Sequence, residues 1–146
     1  MTNTDYQFRK LNENDYEQYL KLINDFRETS FSKEAFVSIL NKINNNNSSI
    51  WVIVIENELI ATGTIIYEYK FIHDISILAH IEDICVSKSF RGNNYGKILI
   101  NYLIEEAKKK KCYKITLYCD EKLEKFYGLS GFSKKGIQMA IYNEFI

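Results

Sequence analysis

A loop rich in glycine and asparagine joins an apolar segment to an amphipathic one between Ile81 and Gly96. Helix N-termini leave backbone N–H groups unpaired and carry partial positive charge, so such a loop can wrap a pyrophosphate with main-chain donors. Arg91 and Lys97 would add positive charge at its two ends. Because loops before helices also contain glycine simply to turn the chain, the flanking sequence must decide between a turn and an anion site.

The spacing of the histidines and cysteines argues against a cysteine nucleophile and against a metal-binding site. His73 and His80 are the only histidines; a lone histidine is more often hydrogen-bonded structure than catalysis, and His73 carries the better functional claim. Cys85, Cys112 and Cys119 lack metal-ligand spacing, and we expect reduced thiols with Cys85 and Cys119 inside strands as small hydrophobic residues. Neither a cysteine nucleophile nor a metal site is predicted.

Composition bounds the class of protein. A chain of 146 residues with 46% hydrophobic content can build one core, so we expect a single domain over residues 1–146. Nineteen basic and nineteen acidic residues cancel, which argues against a nucleic-acid surface. No apolar run approaches the length of about 20 residues that spans a bilayer, and the polar start lacks a signal-peptide core. We therefore expect a cytoplasmic protein with no membrane partner.

Turn and capping residues divide the chain into ten elements. Tyr6–Lys10 is predicted as a strand, a helix capped near Asn12 runs to about Phe26, and Ser32 caps a second helix that ends near Asn44. The remaining predictions are strands at Ile50–Ile55, Leu59–Tyr69 and His80–Val86, a helix after Gly96, a strand at Lys114–Cys119, a helix near Glu121–Leu129, and final strand material through Tyr142.

The sequence predicts an α/β fold with the order β-α-α-β-β-β-α-β-α-β and a central mixed sheet flanked by helices. Leu99, Leu103 and Ala107 recur at helical spacing after the loop, so that helix should pack on the sheet. The lysines at Lys108–Lys111 are expected to be a solvated helix end.

The loop sequence R-x-x-N-x-G resembles the acyl-CoA pyrophosphate loop Q/R-x-x-G-x-G/A of the GCN5-related N-acetyltransferases (GNAT), with Asn94 in place of the middle glycine. Asparagine tolerates left-handed backbone geometry, so the loop can still form. Within that superfamily the chain resembles the glucosamine 6-phosphate N-acetyltransferase family. The resemblance is carried by four segments, at residues 70–73, 80–84, 112–115 and 119–132.

The resemblance implies that acetyl-CoA is the co-substrate, with its pantetheine arm paired to the strand at Ile84–Val86 and its pyrophosphate held by the loop. The implied cofactor-binding residues are Ile84, Cys85, Val86, Arg91, Gly92, Asn93, Asn94, Tyr95, Gly96, Lys97 and Tyr127. The fold is commonly a homodimer with the acceptor site at the subunit interface.

An amino-sugar phosphate is the acceptor that the resemblance implies, in a step of amino-sugar nucleotide (UDP-GlcNAc) biosynthesis. Lys70 and Lys114 suit its phosphate through charge-assisted hydrogen bonds. The implied substrate-binding residues are Lys70, Phe71, Ile72, His73, Glu82, Asp83, Tyr113 and Lys114.

The implied chemistry is direct attack of a free amine on the acetyl thioester in a ternary complex, assisted by positioning and by a backbone N–H near Ile84 or Cys85. Tyr127 matches the family tyrosine near the thiol and is the candidate general acid, unless it is merely a packed aromatic residue. Glu82 either receives the amine proton or orients the acceptor through hydrogen bonds.

Three departures from the family concern the acceptor. Tyr118 stands where the family has an acidic residue, Tyr142 where it brings an arginine to the phosphate, and Phe26-Arg27 near its acceptor-binding threonine. The alternatives are an acetyltransferase acting on another small amine or a protein amine, and a CoA-binding module that does not transfer.

Overall fold

The computed structural model describes residues 5–144, in which five strands form one sheet and four α-helices pack around it. The strands are β1 (Gln7–Lys10), β2 (Ser48–Ile55), β3 (Glu58–Lys70), β4 (Ser76–Val86) and β5 (Lys114–Leu117). The helices are α1 (Tyr16–Asn24), α2 (Lys33–Asn44), α3 (Tyr95–Lys109) and α4 (Glu124–Gly128). Short 3₁₀ turns occupy Glu13–Asp15, Lys88–Phe90 and Glu121–Leu123.

The strands follow one another across the sheet in chain order, β1-β2-β3-β4-β5. Their first three pairings are antiparallel, whereas β4 and β5 are parallel. A parallel pair cannot be joined by a tight turn, and α3 supplies the crossover. The predicted mixed sheet flanked by helices is therefore confirmed, as is the order of its elements through α4.

Local capping fixes where the first two helices begin. Asn12 accepts a hydrogen bond from the Asn14 N–H, while the Asp15 carboxylate accepts from the Asn12 N–H at 2.8 Å. Ser32 accepts from the Ala35 N–H at 3.1 Å and caps α2. Each cap satisfies backbone donors that the first helical turn leaves unpaired. Ser32 begins α2 as predicted, whereas Asn12 caps the 3₁₀ turn that precedes α1. The helix α1 itself runs from Tyr16 to Asn24 rather than to near Phe26.

The sheet is buried on both faces because helices cover each side. One core layer joins α3, through residues such as Leu99 and Leu103, to the side of the sheet that carries Ile65 and Ile81. The other layer joins α1 and α2 to the opposite side through Leu22, Phe36, Leu40, Val52 and Leu59. Both layers hold β4 rigidly, and β4 carries most of the candidate site residues.

The predicted final strand is wrong for the described residues. Residues 133–144, here called the C-terminal arm, contain no strand, and Ile137, Met139 and Ile141 are each at least 90% exposed. A strand needs a neighbour to pair its backbone groups, and the described part of this single chain offers the arm none. The predicted strand through Cys119 also ends early, at Leu117, so Cys119 is exposed rather than buried in the sheet.

Candidate active site

The loop before α3 has the backbone geometry of an anion cradle. Gly92 and Asn94 both have left-handed φ angles, 83° and 66°. The Asn94 carbonyl accepts the N–H of Ile98 at 2.9 Å, so the donors of Tyr95 and the two residues after it have no partner within the helix. These donors and the positive end of the α3 dipole suit a phosphate group. Asn94 therefore forms the turn that the glycine would otherwise supply.

The Arg91 side chain anchors this loop rather than extending from it. Its Nε donates to the Val86 carbonyl at 3.1 Å, and its Nη2 donates to the Asp25 carbonyl at 3.0 Å. Asp25 in turn accepts the Lys88 N–H at 3.1 Å. The guanidinium thus ties the end of β4 to the end of α1 and leaves its charge beside the loop. The sequence did not indicate Asp25, because its partners lie more than 60 residues away.

A β-bulge in β4 changes the direction of the strand at its polar residues. Thr62 pairs with Cys85 but Thr64 pairs with Glu82, so Asp83 and Ile84 together oppose Gly63. Asp83 has a left-handed φ of 53°. The bulge shifts the alternation of side chains, so that Ile84 packs into the core layer of α3.

Beyond the bulge, β4 has an unpaired backbone edge. The ladder with β5 ends at the pair Ile81–Leu117, while β4 continues to Val86. In the described residues no strand pairs with Ile84–Val86 on the β5 side. The Val86 carbonyl accepts from Arg91; the N–H and C=O groups that remain unpaired along an open strand edge are available to an extended ligand. This edge leads directly to the loop before α3.

Three side chains form a hydrogen-bonded chain at the mouth of the gap between β4 and β5. His80 Nδ1 lies 2.7 Å from Thr116 Oγ1, and His80 Nε2 lies 2.9 Å from Glu82 Oε1. The Tyr118 ring lies 4.9 Å from the His80 ring. Of the two histidines, His80 is therefore the one that contacts a predicted catalytic residue. Thr116 was not indicated by the sequence, although its strand register opposite His80 determines the contact.

Apart from Asp83, the other predicted acceptor residues lie at the β3–β4 turn and at the start of β5. The His73 ring lies 4.6 Å from the Tyr113 ring, and Lys114 Nζ lies 5.5 Å from the same ring. Lys70 Nζ pairs with Glu68 at 3.1 Å. Phe71 and Ile72, in the β3–β4 turn, are exposed. Of residues 70–73, the structure brings His73 into contact with Tyr113.

Lys114 and Glu82 share one face of the sheet but lie at different heights. Lys114 pairs with Leu78, and side chains alternate along the strand, so Leu78 and Glu82 point the same way. Four residues along a strand correspond to about 13 Å. A ligand in contact with both residues therefore has to lie along the β4–β5 pair, with its anionic end towards Lys114.

Asp83 lies in a partly desolvated position beside α1. Burial raises its pKa first, the neighbouring Glu82 charge raises it further, and the Arg27 charge partly offsets both. Burial also raises the pKa of Tyr19 to about 12, with Asp83 adding to that shift. The two acidic neighbours therefore differ in environment, since Glu82 is held by His80 and Asp83 faces Arg27.

Tyr127 is buried in the core layer of α3, with Phe126 and Phe132 packed edge-on to its ring. Burial raises the pKa of its hydroxyl, and Cys119 contributes to the rise. Phe126 packs against Gly96, where an added Cβ would lie 3.2 Å from the Phe126 ring. This contact holds α4 against the first turn of α3, beside the candidate anion cradle.

The cysteines are not arranged for nucleophilic catalysis. Cys85 is buried and its thiol donates to the Leu22 carbonyl at 3.4 Å. Burial raises the pKa of this thiol to about 11, which keeps it protonated near neutral pH. Among residues 5–144 no cluster of three or more His, Cys, Asp or Glu side chains could hold a metal ion. The helices within the same range are too short or too polar to cross a bilayer.

Comparison with known proteins places the chain among acetyltransferases. The profile of the Acetyltransferase (GNAT) family matches residues 15–132. Glucosamine 6-phosphate N-acetyltransferase 1 of Dictyostelium discoideum is 36% identical over 140 residues, which cover 92% of this chain and 89% of the relative. The glucosamine 6-phosphate N-acetyltransferase of Candida albicans is 35% identical over 139 residues, which cover 92% of this chain and 93% of the relative.

The fold leads to the same group. The crystal structure of glucosamine-6-phosphate N-acetyltransferase from Arabidopsis thaliana matches with a TM-score of 0.88 at 32% identity, covering 94% of this chain and 98% of that one. The resemblance stated from the sequence is thus confirmed by alignment over most of the chain and by the fold. The chain belongs to the acetyltransferase (GNAT) family.

Proposed function

We propose that this protein transfers the acetyl group of acetyl-CoA to the amine of D-glucosamine 6-phosphate, giving N-acetylglucosamine 6-phosphate and CoA. One observation carries the proposal: the open edge of β4 at Ile84–Val86 runs directly into the left-handed loop at the start of α3. An extended pantetheine arm and a pyrophosphate need these two features in this order. The names of the relatives supply the acceptor.

The chain's own residues have separable roles in this reaction. Acetyl-CoA, when bound, supplies the activated thioester. The Ile84–Val86 backbone pairs with the pantetheine arm, and a free N–H at Ile84 or Cys85 points towards the developing oxyanion. Arg91–Lys97 bind the pyrophosphate through backbone donors and charge. The reaction then depends on holding two substrates in contact, which can supply several kcal/mol of the barrier reduction.

Proton transfer requires an acceptor for the amine proton and a donor for the thiolate. Glu82, exposed at the mouth of the gap, is the acceptor for the proton that the attacking nitrogen releases. Tyr127 donates to the leaving CoA thiolate as the carbon–sulfur bond breaks. Its raised pKa keeps the hydroxyl protonated at neutral pH, as a proton donor requires. Both protons are thereby accounted for without an acetyl-enzyme.

The acceptor lies along the β4–β5 face. Lys114, with Lys70, binds the phosphate, and Asp83, Phe71–His73 and Tyr113 complete the contacts. The separation of about 13 Å between the levels of Lys114 and Glu82 is bridged by the sugar phosphate together with the reach of a lysine side chain. The polar acceptor therefore has its phosphate at the far end of β5 and its amine near the thioester.

We propose further that the protein is a homodimer in the cytoplasm. Ile137, Met139 and Ile141 alternate along the exposed arm as the apolar face of a strand would, and β5 has an open edge. A second copy of this chain carries the same apolar arm and the same open β5 edge, so two copies can cover these features of each other. Burial of the apolar side chains makes that association favourable. A cavity of about 700 Å³ lies at the start of the arm, between α4 and residues 132–134. The free cysteines suit a reducing compartment.

The test of the proposed function is release of free thiol from acetyl-CoA. We expect turnover with glucosamine 6-phosphate, much less with unphosphorylated glucosamine, and none without acceptor. Lys114→Ala should raise the KM for the phosphosugar by about tenfold to a hundredfold, because it removes a charge-assisted hydrogen bond. Lys108→Ala, which removes an exposed lysine of α3, is the matched control.

Equal turnover of phosphorylated and unphosphorylated amines would instead assign another acceptor. Binding of CoA is measured separately as thermal stabilisation, since a ligand that prefers the folded state raises its apparent stability. Binding without any acceptor-dependent thiol release would contradict catalysis and favour a CoA-binding module.

A further inference from the structure

Among the described residues, the Thr116–His80–Glu82 chain is the one place where an imidazole contacts a carboxylate. His80 and Glu82 are two residues apart on β4 and share a face, while Thr116 lies opposite His80 on β5. The imidazole is largely buried, with 16% of its side chain exposed, whereas Glu82 is 45% exposed. This chain of hydrogen bonds therefore begins inside the sheet, at Thr116, and ends at the Glu82 carboxylate in the opening between β4 and β5.

The three partners determine which ring nitrogen carries the proton. An ionised Glu82 only accepts, so His80 Nε2 carries the hydrogen of the 2.9 Å contact. Nδ1 of the neutral ring must then accept, and the Thr116 hydroxyl donates across 2.7 Å. Both ring nitrogens are satisfied in this arrangement. The Glu82 carboxylate can therefore keep one orientation while its second oxygen, Oε2, remains without a hydrogen bond among the described residues.

We propose that His80, held by Thr116, is a positioning residue that aims the Glu82 carboxylate at the attacking amine. This inference rests on the proposed function. The neutral amine attacks the thioester carbonyl carbon and forms the carbon–nitrogen bond. The ammonium proton passes to Glu82 Oε2, the carbon–sulfur bond breaks, and the thiolate takes its proton from Tyr127. After product release Glu82 returns its proton to solvent, and Tyr127 takes a proton back from solvent.

The surroundings of Glu82 explain why it needs such support. The adjacent Asp83 carboxylate and the Glu82 carboxylate repel each other, and the positive charge of Arg27 offsets this repulsion at Asp83. Thr64 and Ile66, across from Glu82 and His80 on β3, are uncharged, and Tyr118 covers the His80 ring from the end of β5. Lys114 lies two residues before Thr116. Of these neighbours in the described residues, His80 is the one that donates a hydrogen bond to Glu82, and this bond holds the carboxylate in one orientation.

Tyr118 makes this support more important in the present chain. Its hydroxyl cannot provide the negative charge of an acidic side chain beside the amine. Proton acceptance therefore falls to Glu82, which has to be both oriented and charged. The ring of Tyr118, at 4.9 Å from the His80 ring, also packs against the imidazole on one side.

Nuclear magnetic resonance tests the coupling without any substrate. The chain has two histidines, so a His73→Gln variant assigns both imidazole signals. We expect the Nε2–H tautomer for His80 in the neutral ring. We also expect the Nε2–H proton to exchange slowly with water in the unaltered protein and quickly in Glu82→Ala, which removes the acceptor of its hydrogen bond. An Nδ1–H tautomer, or an exchange rate unchanged in Glu82→Ala, would overturn the proposal.

Kinetics tests whether the coupling serves the reaction. His80→Ala should lower kcat about tenfold with little change in the KM for acetyl-CoA, because the carboxylate loses its orientation while the cofactor contacts remain. His80→Gln, which keeps a donor, should recover part of the loss, and Thr116→Ser should retain more activity than Thr116→Val. Circular dichroism and thermal unfolding establish that each variant is folded.

The possible outcomes separate the two proposals. If the unaltered protein acetylates glucosamine 6-phosphate but His80→Ala keeps its kcat, the inference about His80 is refuted and the proposed function stands. If the unaltered protein binds CoA but gives no acceptor-dependent thiol release, the proposed function is refuted together with any role of His80 in that reaction.

Discussion

At the scale of single residues, burial alters the chemistry of side chains that look alike in the sequence. The chain has eleven tyrosines, but Tyr127 combines burial in the α3 core layer with a raised pKa and a position on the helix that contacts the start of α3. Tyr118, by contrast, is 60% exposed and lies over His80. A tyrosine side chain is therefore suited to donate a proton at position 127, as proposed above, whereas at position 118 it packs against the His80 ring.

Tyr127→Phe tests the general-acid role. The substitution keeps the ring and removes the proton, so we expect kcat to fall by about a hundredfold while the fold is retained. Since burial raises the pKa of Tyr127, the basic limb of the pH profile of the unaltered protein should lie above about pH 10. Tyr102→Phe, whose ring stacks on Phe8 away from the site, is the control. An unchanged kcat in Tyr127→Phe would leave only packing as its role.

Asp15→Asn tests a charge that stabilises the fold. Burial alone would raise the pKa of Asp15, but the Arg9 hydrogen bond at 2.7 Å, the Asn12 N–H and the Arg9 charge outweigh it and lower the pKa. A carboxyl group with a lowered pKa stabilises the fold above its unfolded value of about 3.9, and this contribution is lost as pH falls through the folded value. We expect Asp15→Asn to cost about 2 kcal/mol near neutral pH.

The measurement is the free energy of unfolding in urea between pH 2 and pH 7. The unaltered protein should lose stability below about pH 4 more steeply than Asp15→Asn, because the variant has no carboxylate to protonate there. Glu13→Gln, an exposed neighbour in the same 3₁₀ turn, should change little. Parallel pH curves for the unaltered protein and Asp15→Asn would contradict the assignment.

At the scale of elements, the bulge in β4 links packing to the site. Gly63 leaves room for Ile84, since a Cβ at Gly63 would lie 2.5 Å from Ile84 Cδ1 and 3.1 Å from Leu103 Cδ1. The space without a side chain allows Ile84 to pack inward and β4 to bend away from β5. The open backbone edge therefore depends on the absence of a side chain on the neighbouring strand.

Gly63→Ala should disturb both stability and cofactor binding. The added methyl must displace the end of the Ile84 side chain, and we expect a cost of about 1–3 kcal/mol. Because Ile84 begins the open edge, the KM for acetyl-CoA should rise as well. Gly128→Ala, where an added Cβ meets nothing within 4 Å, is the matched control and should be nearly neutral. Equal stability of the two variants would argue against this account of the bulge.

At the scale of the whole molecule, the C-terminal arm leaves the described chain incomplete. The arm has its apolar side chains in solvent, and β5 is an unprotected edge of four residues. Proteins rarely leave both features uncovered, because each favours association. The turn at Phe71–Ile75 adds further exposed apolar area near the start of β5. The homodimer proposed above would cover these surfaces.

The triple substitution Ile137→Ser, Met139→Ser and Ile141→Ser should convert the proposed dimer into a monomer. The three substitutions remove the alternating apolar face, so burial between copies becomes unfavourable. Light scattering after size exclusion, over a range of concentrations, measures the mass. Gln138→Ser and Ala140→Ser, at the intervening positions, form the control. An unaltered protein that is monomeric at every concentration would refute the dimer.

The sequence by itself determined the parts of this protein that depend on near neighbours. The caps at Asn12 and Ser32, the element order through α4, and the left-handed Asn94 in the loop before α3 follow from interactions within a few residues. Such local conformational preferences are encoded in short stretches of chain, so pattern and residue type suffice. The family resemblance likewise rested on short segments in a fixed order.

Only the tertiary structure decided which distant groups meet. The contact between His80 and Thr116 joins residues 36 apart, and the Arg91 bond to Asp25 joins residues 66 apart. Such contacts depend on strand register and helix packing, which a one-residue shift would change entirely. The predicted strand in the C-terminal arm was wrong for the same reason. The alternating pattern of the arm is visible in the sequence, but a strand forms only where another strand lies beside it.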